Sequence, residues 1–197
     1  MLERLSGFST SELCDGSSFP RAMDYHIKPW VGHERIVGRA VTVDVPAGEG
    51  DIVADAILLL KEGDVLVISG KGCCDYSYWG DFRSFCARTA GAAGVVIDGA
   101  FRDLEECRTI GLPVFARAVT CITAAKKGIG SINVPVSCGG VCVRPGDFIV
   151  GDAGGVCVID PEEAEAIMEK AEKKRAAQEQ VVREIRETGI LRTRIKK

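Results

Sequence analysis

The sequence predicts an α/β fold: a layered β/β/α sandwich followed by a long carboxy-terminal helix. Three observations carry that expectation. Short apolar runs rich in β-branched residues, such as Val65-Leu66-Val67-Ile68 and Val95-Val96-Ile97, recur between Gly, Pro and Asp, as buried strands do. Only a few segments show a helical period between them. Asp160-Pro161-Glu162-Glu163 then opens a helix with a cap, a proline at the first position and acids in the first turn.

In chain order, Ser9-Thr10-Ser11-Glu12 reads as a capping box, so a helix is expected from about residue 10. Residues 19–30 carry two prolines and no clear period, and read as an irregular connection. Residues 35–46 alternate, with Ile36, Val41, Val43 and Val45 set against Arg39, Thr42 and Asp44, which argues a half-buried strand. Gly48-Glu49-Gly50-Asp51 is a turn before a helix-like stretch at 52–61; its glycines either cradle an anion or form a plain turn with Asp51 as cap. Gly63-Asp64 then turns the chain into the strand 65–68.

The stretch from Gly70 to Asp103 organises the rest. Phe82, Phe85, Cys86, Thr89, Ala90 and Ala93 recur at helical spacing, so that stripe is expected to face a core. Gly80 and Asp81 fall at the amino end of this helix, where free backbone amides and the helix dipole hold an anion. The strand 94–98 follows and ends in Asp98-Gly99-Ala100-Phe101-Arg102-Asp103, and a helix over 104–110 stops at Gly111. Arg102 and Asp103 thus stand at a strand exit, where α/β proteins commonly carry chemistry. A guanidinium there clamps an anionic substrate, and a carboxylate holds a divalent cation.

Strands are expected at 113–116, 132–134, 140–143, 148–150 and 156–159. The last helix runs to about residue 188, a rod of roughly 40 Å at 1.5 Å per residue. Its apolar positions form two groups, Ala164, Ile167, Met168 and Ala171, then Val181, Val182 and Ile185. The first group is expected to cover a domain over 1–160. The second, within a segment 161–197, is expected to reach a neighbouring subunit.

Composition narrows the function classes. With 46% hydrophobic and 27% charged residues, the 197-residue chain suits one compact domain with an extension. A formal charge of −3 leaves no basic footprint for nucleic acid. The longest wholly apolar run, 56–60, is far short of the roughly 20 residues that span a bilayer. No cleavable hydrophobic region opens the chain, so no membrane association and a cytoplasmic location are expected. Nine cysteines and the histidines His26 and His33 contain no CxxC pair, and small apolar packing is the expected role of most cysteines, with a zinc site as the minor alternative. Cys73-Cys74, placed in the site loop, is the exception.

Gly80-Asp81, GVVIDGAFRD with Glu106 three residues past Asp103, then GLPVFARAVT, NVPVSCGGVCVRPGD and GDAGGVCVI together resemble the RraA-like family over about residues 9–189. The resemblance implies its swivelling β/β/α fold. It also implies the activity of class II 4-hydroxy-4-methyl-2-oxoglutarate aldolases, which decarboxylate oxaloacetate as well. By the same likeness, Asp103 binds Mg2+ (or Mn2+), Arg102 contacts a small 2-oxo acid, and Asp81 acts through an ordered water. The amides of Phe82 and Arg83, after Gly80, hold the pyruvate carboxylate. Glu179 of an adjacent subunit orders water, which implies a homotrimer or hexamer.

Bland readings compete. Asp103 with Glu106 also makes a good capping box, and Asp81 can cap its own helix. Glu106 either backs Arg102 or caps, while Asp98 is expected to fix the loop by hydrogen bonds. Phe82-Arg83 departs from the aliphatic residue common in the family. Arg83 either lines the substrate mouth and selects a second carboxylate or faces solvent. A second function class is a non-enzymatic regulator of the RraA type that binds ribonuclease E; that branch lacks the aspartate after the arginine. The menaquinone methyltransferase label attached to similar sequences has no nucleotide-binding glycine fingerprint here to support it.

Overall fold

The computed structural model describes residues 1–32 and 35–194; His33, Glu34 and 195–197 lie outside the described residues, including the end of the expected 161–197 segment. The chain begins α1 (Leu2–Ser6), α2 (Thr10–Gly16), β1 (Arg21–Ala22), β2 (Lys28–Val31), β3 (Ile36–Asp44), α3 (Val53–Ile57), β4 (Val65–Ser77) and α4 (Asp81–Thr89). It continues with β5 (Gly94–Phe101), α5 (Leu104–Ile110), β6 (Val114–Val119), β7 (Ser131–Ile132), β8 (Val136–Cys138) and β9 (Val141–Val143). β10 (Phe148–Asp152), β11 (Gly155–Ile159) and α6 (Ala164–Thr188) complete it.

One mixed sheet runs β1-β11-β10-β3-β4-β5-β6-β2, with β7 also on β3. Its centre, β3 to β6, is parallel, and its edges are antiparallel. The strand period of two sorts the core into layers. Leu66, Ile68, Val95 and Ile97 face α3, α4 and α5 through Val53, Ala56, Ala87 and Cys107. Val65, Val67 and Val96 face the β8–β9 hairpin through Val136, Cys138 and Val143. Covered on both sides, β5 is buried along its whole length. This is the expected β/β/α layering, with the second β layer reduced to a hairpin.

A third cluster joins Phe148, Val150, Cys157 and Ile159 to Leu5, Leu13, Ile167, Met168 and Ala171, so α1, α2 and the first half of α6 cover the β10–β11 edge. The expected capping box starts α2: Ser9 and Glu12 bond each other's backbone amides. α6 begins at Ala164, later than expected, because residues 160–163 form a turn in which Asp160 accepts from Glu162 N–H at 3.0 Å. No helix among the described residues is long and apolar enough to cross a membrane.

Three expectations are corrected. The helix foreseen over 52–61 holds only Val53–Ile57. The loop carrying Cys73-Cys74 is part of β4, which passes through left-handed Lys71 and Gly72 (φ 58° and 71°) and pairs again with β5 at Gly99 and Ala100. Such bulges break the alternation that a sequence would show. The foreseen apolar stripe of α4 faces the core only in part: Cys86, Ala90 and Ala93 pack against it, but Phe82 and Phe85 are 74% and 59% exposed while Ser84 and Ala87 are buried. Ser84 accepts the Trp79 indole N–H at 2.7 Å and lies 3.4 Å from the Cys107 thiol, and these contacts set the rotation of the helix.

Candidate active site

Backbone bonds bring the two loops together before any side chain acts. Tyr78 N–H donates to Ala100 O at 2.9 Å, and Arg102 N–H to Trp79 O at 3.0 Å. The start of α4 therefore lies beside the exit of β5. Asp103 is left-handed (φ 56°, ψ 48°), a conformation that aspartate tolerates better than most residues. Its carbonyl accepts Cys107 N–H at 2.8 Å, yet its carboxylate does not cap α5. Oδ2 instead lies 3.0 Å from Arg102 Nε and 3.5 Å from the Asp81 amide.

The Asp103–Glu106 capping box is therefore not formed, and exposed Glu106 makes no hydrogen bond to Arg102 among the described residues. Asp81, by contrast, accepts its neighbour's Phe82 N–H at 2.6 Å. That is a correction for the expected carboxylate cradle, because the Phe82 amide is taken and only the Arg83 amide has no partner among the described residues. Asp81 thus serves its own first turn with one oxygen and keeps the other.

Arg83 does not face solvent. Its guanidinium donates to Tyr78 O and, at 2.7 Å, to Gly50 O. Burial, with Arg102 nearby, pulls it below the usual guanidinium range, against the opposing pull of Asp51 and Glu49. These groups border a cleft of about 130 Å³ whose far wall is residues 123–126, ending in Lys126. Ser77 brackets that wall, donating to Ile122 O at 2.7 Å and accepting Ala124 N–H at 3.1 Å. Three cations, Arg83, Arg102 and Lys126, thus meet the Asp81 carboxylate in a space sized for a small anion, with Asp103 adjoining it through Arg102 and the Asp81 amide.

The family model described as Aldolase/RraA matches residues 10–158. The chain belongs to the RraA-like family. It is 46% identical over 153 residues to a Halalkalibacterium halodurans protein named "Putative 4-hydroxy-4-methyl-2-oxoglutarate aldolase", covering 78% of this chain and 73% of that one. It is 32% identical to the Thermus thermophilus 4-hydroxy-4-methyl-2-oxoglutarate aldolase, over 76% of this chain and 91% of the relative. The solved structure of the RNA-processing inhibitor RraA from Thermus superposes with a TM-score of 0.72 at 31% identity, over 77% of this chain and 92% of that chain.

Two expected residues of this RraA-like chain lie elsewhere. Asp98, 6% exposed, does not fix the loop that ends in Arg102: it pairs with Arg117 and accepts Gly139 N–H at 2.9 Å, tying β5 to β6 and to the β8–β9 turn. Arg117 also meets Asp24 at 3.1 Å, and Asp24 accepts both the backbone and the ring of His26. Those bonds, with Arg117, lower Asp24 to about 2. Glu179 is exposed on α6 and borders a separate groove with Glu12, Lys174 and Arg183. That groove shares no residue with the cleft, so one chain alone does not bring Glu179 to Asp103.

The roles of Arg117, Asp24, Glu49 and the 123–126 wall are not legible in the sequence, because each also depends on a partner far along the chain. No group of three or more His, Cys, Asp or Glu suited to a metal occurs among the described residues. A cation here would rest on Asp103, aided by Asp81, with the remaining positions left to water and substrate. Few carboxylates and many waters suit Mg2+ or Mn2+, whereas zinc prefers clustered nitrogen and sulfur ligands.

Proposed function

We propose that this RraA-like protein is a divalent-metal-dependent lyase that cleaves a carbon–carbon bond of small 2-oxo acids through a pyruvate enolate. The observation that carries the reading is the Asp103 carboxylate, turned away from the helix it precedes and set against Arg102, which lines the cleft. The two aldolase-named relatives support the same class. Aldol cleavage of 4-hydroxy-4-methyl-2-oxoglutarate and decarboxylation of oxaloacetate share one demand, that the electrons of the broken bond move onto the ketone.

A bound Mg2+ or Mn2+, held by Asp103, would supply positive charge next to the ketone oxygen. Arg102 clamps the carboxylate of the 2-oxo acid and offsets the charge that grows on the ketone, and the free Arg83 amide adds a second donor. Each 1.4 kcal/mol of such selective stabilisation is worth about tenfold in rate. The free oxygen of Asp81 orients a water that takes the 4-hydroxyl proton in the aldol case and returns one to the enolate carbon. Glu179 of the partner subunit would complete that water's surroundings in a homotrimer or hexamer. Arg83, tied to two carbonyls, shapes the cleft wall and keeps its charge for a second carboxylate.

The test is pyruvate release from both substrates, with Mg2+ and with a chelator, for wild type and Asp103→Asn. Magnesium-dependent release by wild type, lost in the variant, is expected. A folded wild type inert on both acids that still inhibits ribonuclease E would favour the second reading, a regulator like the RraA whose structure it resembles.

A further inference from the structure

Glu49 is 4% exposed, and no cation pairs with it among the described residues. Its carboxylate is satisfied by main-chain amides instead. Oε1 accepts Asp51 N–H at 2.9 Å, and both oxygens accept Lys127 N–H at 3.1 Å. Burial raises its pKa, but these amides, with those of Gly50 and Gly128, outweigh burial and hold it below the usual carboxylate range. A buried charge is costly unless its partners are fixed, so these amides must stay where they are.

The amides adjoin two different walls of the cleft, Asp51 following Gly50 and Lys127 following Lys126. Gly50 lines one side and takes Arg83 on its carbonyl, and residues 123–126 line the other. The strands of backbone also touch: Gly50 N–H donates to Ala125 O at 3.1 Å and Ala125 N–H to Gly48 O at 2.7 Å. Between β6 and β7 the chain has no helix or strand of its own among the described residues, and Lys126 lines the cleft with Arg83 and Arg102, so like charges share it. A negative group behind the wall offsets that repulsion without entering the cleft.

We infer that Glu49 is a positioning residue: through main-chain amides it locks the 123–126 wall against the Gly50 turn, and so sets how tightly an anionic 2-oxo acid is held. The inference rests on the lyase reading for its kinetic consequence but not for its structural one. It touches neither substrate nor the reacting atoms.

The experiment compares wild type, Glu49→Gln and Glu49→Asp by hydrogen exchange of the free protein, by oxalate affinity and by oxaloacetate kinetics. In Glu49→Gln, amide exchange over 123–129 should rise at least tenfold while β3 to β5 keep wild-type protection. Oxalate should bind about tenfold more weakly, and KM for oxaloacetate should rise by a similar factor with kcat within about twofold. Glu49→Asp keeps the charge but withdraws it by one methylene, and should fall between; it decides the matter alone if Glu49→Gln does not fold. Wild-type exchange and affinity in the variants would overturn the inference. So would faster exchange spread over the whole sheet with kcat falling, which marks a merely structural residue. A wild type that binds oxalate but turns over neither substrate would sink the lyase reading and leave the exchange comparison standing.

Discussion

Gly80 and Asp103 contend for one space: a Cβ on Gly80 would lie 2.5 Å from Oδ2 of Asp103 and 3.3 Å from the Arg102 side chain. The Gly80 backbone (φ −165°, ψ −168°) is extended, a conformation any residue adopts. Gly80→Ala therefore carries no backbone strain of its own, and its effect falls on the acid and the guanidinium. Oxaloacetate decarboxylation should drop at least tenfold in kcat/KM, about 1.4 kcal/mol, while the melting temperature moves by only a few degrees. Unchanged kinetics in the alanine variant would show that the placement of Asp103 is idle.

Asp24, joined to β5 through Arg117 and Asp98, should keep its charge far into acid. Asp24 is lowered to about 2 from 3.8 by His26 and Arg117, so the native state holds its proton less readily than the unfolded chain. Its contribution is complete above about pH 4 and is lost as pH falls toward about 2. A chemical-shift titration should give a midpoint near 2, and Asp24→Asn should flatten the stability curve in that window. A wild-type midpoint at the ordinary value would refute the network.

Tyr78 ties the turn at Gly48 to β4: its hydroxyl donates to Gly70 O at 3.1 Å and accepts Gly48 N–H at 2.9 Å. Tyr78→Phe leaves both groups without that partner. Roughly 1–3 kcal/mol of stability should be lost in urea unfolding, with faster exchange at Gly48. No loss would mean that water replaces the hydroxyl freely.

The two halves of α6 should answer differently to truncation. Met168 is fully buried among Leu13, Phe148 and Ile159, so Met168→Ala should cost about 2–5 kcal/mol. Val182 is 37% exposed, and Val182→Ala should cost less than about 0.5 kcal/mol in the isolated chain. A larger loss that grows with protein concentration would show that this face is covered in an assembly.

Much of this is legible in the sequence, and what is not has physical causes. The run Val95-Val96-Ile97 reads as a doubly covered strand because that environment selects β-branched residues along its whole length. Ser9 and Glu12 were legible because a capping box is local. The α4 stripe meets the core only in part, because helical spacing gives a face but not its direction. Here a buried Ser84, bonded to Trp79 and near Cys107, turns Phe82 and Phe85 outward. Glu49 and Asp98 are charged residues in strand or turn sequences, and their burial depends on Lys127 and Arg117, 78 and 19 residues away. Asp103 could have been a cap or a ligand on sequence alone; its left-handed backbone, which no local pattern announces, carries the carboxylate off its helix.

The most direct measurement is a crystal structure of the protein soaked with Mg2+ and pyruvate. The account predicts an ion about 2.0–2.1 Å from a carboxylate oxygen of Asp103, with pyruvate between that ion and the guanidinium of Arg102. Pyruvate bound with no ion at Asp103, or an ion coordinated wholly by other residues, would contradict it.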